Sequence, residues 1–377
     1  MKKSAMPNTN FLCIDDQQDS TIDNLLTLLC RSNKALVIER KTPVDLATQI
    51  KQISAANKER ENFGLLLDLR LDQEASDEQP KVPYRGPTLA QELRTRMAEK
   101  KIPPFPIVLW SITEKFVKSF DESSHDLFDA VFGKDDQIID QPSQVATQMI
   151  SLVDGYTQIA SNKKNRLASA MLGFGKDATA GLHESFLEEF KYLVEIKAVH
   201  EISTYLLNSL ITPSGLLIDE PLLAARLGVD IIKSGASWAQ LQMQLEIAKY
   251  TGPFCVGWQR WWWFTVEVWW ESLNVKQPNL RRIGASERIK ILNDKFGLTL
   301  KAAIPIEAGY SDKFFSICVA TSRPIDPADG LRVAELNIKP WQDTAYVSVH
   351  AALNRIEKNK WRISPLDRDR LDRLKKS

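Results

Sequence analysis

Four apolar runs in the first part of the chain finish beside residues able to handle ions. Asp15 and Asp16 follow "FLCI", Asp68 ends "FGLLLD", Ser111 ends "FPIVLWS", and Lys134 follows "LFDAVFG". Burying an unpaired charge is strongly unfavourable, so the run before Asp68 implies a strand whose exposed end presents that carboxylate to a cation. Three carboxylates converging on one point repel each other unless a divalent cation sits among them. Carboxylate and water oxygens in octahedral array suit Mg²⁺, which binds through few protein ligands. A hydroxyl and an ammonium beside such an ion make a site for a phosphoryl group, the ammonium pairing with its oxygens and the hydroxyl donating a hydrogen bond.

Such a rim requires a sheet whose strands end together. Residues 11–155 alternate short apolar runs with amphipathic stretches: "FLCIDD", "ALVIE", "FGLLLDL", "FPIVLWS" and "LFDAVFG" read as strands. "STIDNLLTLLCRS", "PVDLATQIKQISAA", "GPTLAQELRTRMAEK", a weaker "TEKFVKSF" and "QPSQVATQMISLVDGY" read as the intervening helices. Continuous apolar strands are what a parallel sheet covered on both faces requires. The expectation is a (βα)₅ doubly wound domain with functional groups at the carboxyl ends of its strands.

The order Asp-Asp, Asp, Ser, Lys, each at its own strand end, resembles the receiver domain of bacterial response regulators. The resemblance covers residues 11–155. It implies that Asp68 accepts a phosphoryl group from a phosphohistidine, that Asp16 binds Mg²⁺ directly with Asp15 acting largely through water, and that the backbone carbonyl of Arg70 completes the metal's protein ligands. It further implies that Ser111 hydrogen-bonds the phosphoryl group and Lys134 pairs with it, the donor being a histidine kinase or kinase-like ATPase. Three features depart from the family pattern. Asp135 follows Lys134 where proline is usual. The segment "LDQEASDEQPKVPYR" between Asp68 and Gly86 is long and reads as a flexible flap. Val131 stands where a switching aromatic is common, with Phe132 one place on.

The second half resembles no family. "HESFLEEFKYLVEIKAVHEISTYLLNSL" has helical periodicity for about seven turns, and its alternative as a strand would give Glu195 and Lys197 the spacing of metal-dependent nucleases. "AARLGV", followed by "SWAQLQMQLEIAKY" with Gln240, Gln242 and Gln244, is like a helix-turn-helix with a lengthened turn, and offers few phosphate partners. Six of the ten tryptophans fall in "WQRWWWFTVEVWW". As a helix, this would put Trp258, Trp261, Trp262, Thr265 and Trp269 on one face and Trp263, Val266 and Trp270 on the next, for a core or a homodimer interface. Four strand-like runs, "GLTLKAAIPI", "KFFSICVATS", "LRVAELNI" and "AYVSVHAAL", suggest a small sheet.

The chain thus divides into a tail (1–10), a receiver-like domain (11–155), a linker (156–180) and an α+β domain with a Trp-rich core helix (181–377). Residues 1–155 carry five more acids than bases, and the remainder six more bases, interspersed rather than blocked. DNA contact is allowed by that balance, not required by it. Scattered cysteines without a CxxC pair point to reduced thiols and a cytoplasmic setting, no run spans a bilayer, and the histidines (125, 183, 200, 350) form no ligand cluster by spacing. The leading expectation is a phosphoacceptor whose state controls the second half. Alternatives are a receiver-gated enzyme and a phosphate-independent scaffold in a cytosolic complex such as a bacterial defence system.

Overall fold

The computed structural model describes residues 8–17, 20–74, 81–112, 126–164, 168–173, 181–274, 279–335 and 337–376. The chain forms two compact units. The first takes in the described residues of Met1–Thr179, Glu188–Asn208 and Thr251–Trp258; the second takes in those of Ala180–Leu187, Ser209–Tyr250 and Gln259–Ser377.

The first unit is α/β. Strands β1 (Thr9–Ile14), β2 (Leu36–Lys41), β3 (Phe63–Asp68), β4 (Ile107–Ser111) and β5 (Ala130–Gly133) form one parallel sheet in the order β2-β1-β3-β4-β5. Helices α1 (Ser20–Ser32), α2 (Leu46–Glu59) and α3 (Gly86–Ala98) connect them, and α4 (Gln137–Asp140) and α5 (Pro142–Lys164) follow β5. Every residue of β3 and β4 is buried, as expected of central strands covered on both faces. One core layer joins β1, β3 and β4 to α2 and α3 through Leu65, Leu67, Ile53, Leu89 and Leu93. The strand order reverses between β1 and β3, so the crevice beyond their carboxyl ends is a topological switch point, where ligands of such sheets bind.

Expectation and structure differ at several places. Helix α5 does not stop near 155 but runs to Lys164, with Tyr156 and Ile159 buried; the polar residues that read as linker are its outer face. A further turn, α6 (Ala168–Met171), lies in the expected linker, whereas residues 165–167 and 174–180, like the tail at 1–7 and the helix expected at 113–120, fall outside the described residues. The seven-turn helix is broken into α7 (Glu184–Ile196), α8 (Val199–Tyr205) and a π-helical turn at Leu206–Ile211. At the break, the Glu201 carboxylate accepts the Ala198 N–H at 2.9 Å and the Lys197 ammonium at 2.8 Å. The nuclease-like strand is therefore absent: Glu195 belongs to the last turn of α7.

In the second unit, β6 (Leu217–Ile218) pairs antiparallel with β7 (Trp261–Trp262), and α12 begins only at Trp263, after α9 (Glu220–Leu227), α10 (Ile231–Ser234) and α11 (Ala236–Gln244). The expected tryptophan helix thus keeps only its second part, Trp261 and Trp262 forming a short strand instead, because bulky aromatics fit an extended pair at least as well as a helix. Trp261, Trp262, Trp263 and Trp270 are buried, and Trp261, Trp263 and Trp270 share a core cluster with Leu223, Leu241 and Leu292. The helix-turn-helix reading also changes: α10 is inserted between α9 and α11, and Gln242, with the indole N–H of Trp238, donates to Glu220 Oε1. Following α13 (Ala285–Phe296), the expected four-stranded sheet resolves into two short pairs linked by a single parallel bridge between Cys318 and Tyr346. Ser316–Ile317 pairs with Pro324–Ile325 and Gly330–Arg332 with Tyr346–Ser348; residues 297–306 form no strand, and Val349–Leu353 is a helix. Among the described residues, no helix is long and apolar enough to cross a membrane.

Candidate functional site

At the switch point, β1 runs out into Asp15 and Asp16 while β3 ends on Asp68. Next along the rim, β4 ends on Ser111, and Lys134 follows β5. The register pairs Asp68 with Trp110 and Ser111 with Gly133, so these ends are level. All five side chains expected to act are buried.

Lys134 is the centre of the arrangement. Its ammonium lies 2.7 Å from Asp15 Oδ2, 2.7 Å from Asp68 Oδ1 and 3.4 Å from Gln17 Oε1, and it sits 4.5 Å from the centroid of the Trp110 ring. The other oxygen of Asp68 accepts the backbone N–H of Arg70 at 2.8 Å, and Asp15 Oδ1 accepts that of Gln17 at 3.0 Å. One oxygen of Asp16 accepts two N–H groups of the segment after β3, from Gln73 (2.7 Å) and Glu74 (2.8 Å). The side chain of Arg70 turns instead to Asp72, at 2.7 Å.

Two oxygens are left over. Asp16 Oδ1 and Ser111 Oγ are buried without a hydrogen-bond partner among the described residues, a costly state for polar atoms. Charge is also unbalanced, with three buried carboxylates facing one buried ammonium. The electrostatics register this. Burial raises the pKa of Asp15 to about 6 despite Lys134, and burial likewise raises Asp16 against its backbone donors. Burial opposes the charge on Lys134, but Asp68 and Asp15 outweigh it and the pKa is raised.

No trio of acidic, His or Cys groups among the described residues already stands in metal-ligating geometry; Lys134 bridges Asp15 and Asp68 directly. The donor set is nonetheless of the kind Mg²⁺ takes, with an unpartnered carboxylate oxygen on Asp16 and further carboxylates beside it. An unpartnered hydroxyl and a buried ammonium on the same rim could serve phosphoryl oxygens.

The long segment after Asp68 is anchored where it is described. Leu71, Val82 and Tyr84 are buried, and the Tyr84 hydroxyl donates to the Val44 carbonyl at 2.6 Å. These apolar residues, overlooked amid the acids, tie down both ends; residues 75–80 of the expected flap lie outside the described residues. Phe132 is buried, and Val131 packs half-buried against the core. Spacing also gave no hint of Asp129 near the start of β5, which is buried and accepts from Arg94 (2.7 Å), Tyr156 (2.7 Å), Ser203 (2.8 Å) and the Ile107 N–H (2.8 Å). Of the histidines, His125 lies outside the described residues. His200 is buried, with its pKa pushed down to about 4 chiefly by burial, while His350 pairs with Glu307 at 2.7 Å.

No family model and no curated protein matches the chain. Among solved structures, an adenylate cyclase from Rhodopirellula baltica aligns with 41% of this chain and 98% of its own, at 14% identity and a TM-score of 0.26. So slight a likeness carries no inference about fold or activity.

Proposed function

We propose that the first unit is a phosphoryl acceptor of the response-regulator type, with Asp68 as nucleophile. The observation that carries the reading is the gathering of Asp15, Asp16, Asp68, Ser111 and Lys134 at one switch-point rim, with Asp16 Oδ1 and Ser111 Oγ unpartnered. In the proposed reaction, an Asp68 oxygen attacks the phosphorus of a phosphohistidine on a histidine kinase or kinase-like ATPase. The P–N bond breaks, its electron pair stays on the imidazole nitrogen, and an acyl phosphate forms on Asp68. Arg70 N–H holds the second carboxylate oxygen and so orients the nucleophile. Lys134 gives up Asp68 Oδ1 and pairs with a phosphoryl oxygen, while the Ser111 hydroxyl donates a hydrogen bond to another. Mg²⁺ held by Asp16, Asp15, Asp68 and the carbonyl of Arg70 would neutralise charge on those oxygens.

The phosphorylated state would then alter the second unit, as an output domain whose target, DNA included, and whose homodimerisation are part of the proposal. The test is incubation of the full chain with acetyl phosphate and Mg²⁺, followed by intact-mass measurement. One phosphoryl adduct is expected, absent without Mg²⁺ and absent in Asp68→Asn. An unmodified chain under conditions that phosphorylate an authentic receiver would instead favour the phosphate-independent scaffold.

A further inference from the structure

We infer that Trp110 is a positioning residue for Lys134, holding the ammonium at the rim while Asp68 changes charge. The inference rests on the acceptor reading above. Trp110 is wholly buried beside Ser111, in register with Asp68 on one side and Phe132 on the other. Its indole N–H has no hydrogen-bond partner among the described residues. Buried indoles usually find one, because an unpaired N–H is costly. Phenylalanine or leucine would fill apolar space without that cost, so bulk alone does not account for a tryptophan here. What the indole does offer is its face, whose centroid lies 4.5 Å from the Lys134 nitrogen, and tryptophan provides the strongest such face for a cation.

The four groups around the ammonium respond differently to phosphorylation. Asp68 Oδ1, at 2.7 Å, loses its pairing when the carboxylate becomes an acyl phosphate. Asp15 Oδ2 at 2.7 Å and Gln17 Oε1 at 3.4 Å pull from the β1 side. The ring carries no formal charge and is attached to β4, the strand that also carries Ser111. Its attraction therefore persists through the transfer and keeps Lys134 beside the oxygens that Ser111 also serves. Trp110 touches neither donor nor phosphoryl group; it acts through Lys134.

The experiment measures the rate of Asp68 phosphorylation by acetyl phosphate and Mg²⁺ in the full chain, for Trp110→Leu, Trp110→Phe, Lys134→Ala and the double variant Trp110→Leu/Lys134→Ala. A desolvated cation–π contact predicts that Trp110→Leu slows the reaction about tenfold or more. Trp110→Phe should recover most of that loss, and Trp110→Leu should add nothing once Lys134 is alanine. Should Trp110→Leu fail to fold, tryptophans bearing increasing numbers of fluorines, inserted at position 110 alone, keep the shape while weakening the ring face; rates should fall stepwise. A leucine variant as fast as the parent, the same slowing with Lys134 absent, or no trend with fluorination overturns the role. If the parent chain takes no phosphoryl group, the acceptor reading falls and this role with it; if the parent is phosphorylated at a rate indifferent to the ring, only this role falls.

Discussion

Replacing Lys134 by methionine keeps the length of the side chain and removes its charge, leaving Asp15 and Asp68 buried without a cation. Each ion pair closes at 2.7 Å, which at an effective dielectric near 20 is a gross attraction of about 6 kcal/mol. Much of this is offset by the desolvation of the ammonium, so the net loss expected is about 3–5 kcal/mol. That loss should depend on pH. With Lys134 present, Asp15 already titrates near 6 instead of its usual 3.8. Its folded pKa is raised, so its contribution to stability is full at low pH and declines as pH climbs between those values. Without Lys134, its pKa rises further. The variant should therefore lose the full amount at pH 8, where Asp15 is charged, and less at pH 5, where it is neutral, by about 1.4 kcal/mol per unit of further shift. Protection factors of the β1 and β3 amides in hydrogen exchange, measured without metal, report on the strands that carry these acids. They should fall by about two orders of magnitude or more at pH 8 and at least tenfold less at pH 5. A fall below tenfold at pH 8, or an equal fall at both pH values, would refute the picture of Lys134 as the counter-ion of two buried acids.

Further outcomes follow from close packing and from buried charge. Gly86 opens α3 where a Cβ would meet the Asp68 carbonyl oxygen at 2.3 Å; Gly86→Ala should cost about 1–3 kcal/mol and slow phosphorylation, checked by protection of β3 and by intact mass. Asp129→Ala leaves the guanidinium of Arg94 buried without its carboxylate. It should cost about 3–5 kcal/mol, partly regained in the double variant with Arg94→Leu, as a double-mutant cycle would show. Trp270, fully buried in the second unit, should cost about 3–5 kcal/mol as alanine. That loss should appear in amide protection of α12 and leave the β3 amides unchanged.

Much of the first unit was legible because its inner strands β1, β3 and β4 are buried on both faces, so each shows as an uninterrupted apolar run that stops where the rim begins. Asp68, Ser111 and Lys134 stand out for that reason. Trp110 did not, since a tryptophan inside an apolar run is indistinguishable from core until its neighbours in space are known. Asp129 was hidden likewise, its four donors coming from residues as distant in sequence as Arg94 and Ser203. The end of α5 was misjudged because an amphipathic helix with a polar outer face reads as linker unless the lone Ile159 is weighted. In the second unit, the stretch from Trp258 to Trp270 is apolar at nine of thirteen positions, with tryptophans side by side, so neither a helical nor an extended periodicity stands out. Its division between β7 and α12 is decided by pairing with Leu217 and Ile218, some forty residues earlier. Two-residue strands of that kind leave almost no periodic trace.

The account turns on whether Asp68 becomes an acyl phosphate. Borohydride reduces such an anhydride, and not a free carboxylate, to the alcohol, so treating the acetyl-phosphate-exposed chain and mapping its peptides locates the acceptor. The account predicts homoserine at position 68, dependent on Mg²⁺ and sharply reduced in Lys134→Met. Homoserine at another aspartate, or at none while a parallel receiver is labelled, would contradict it.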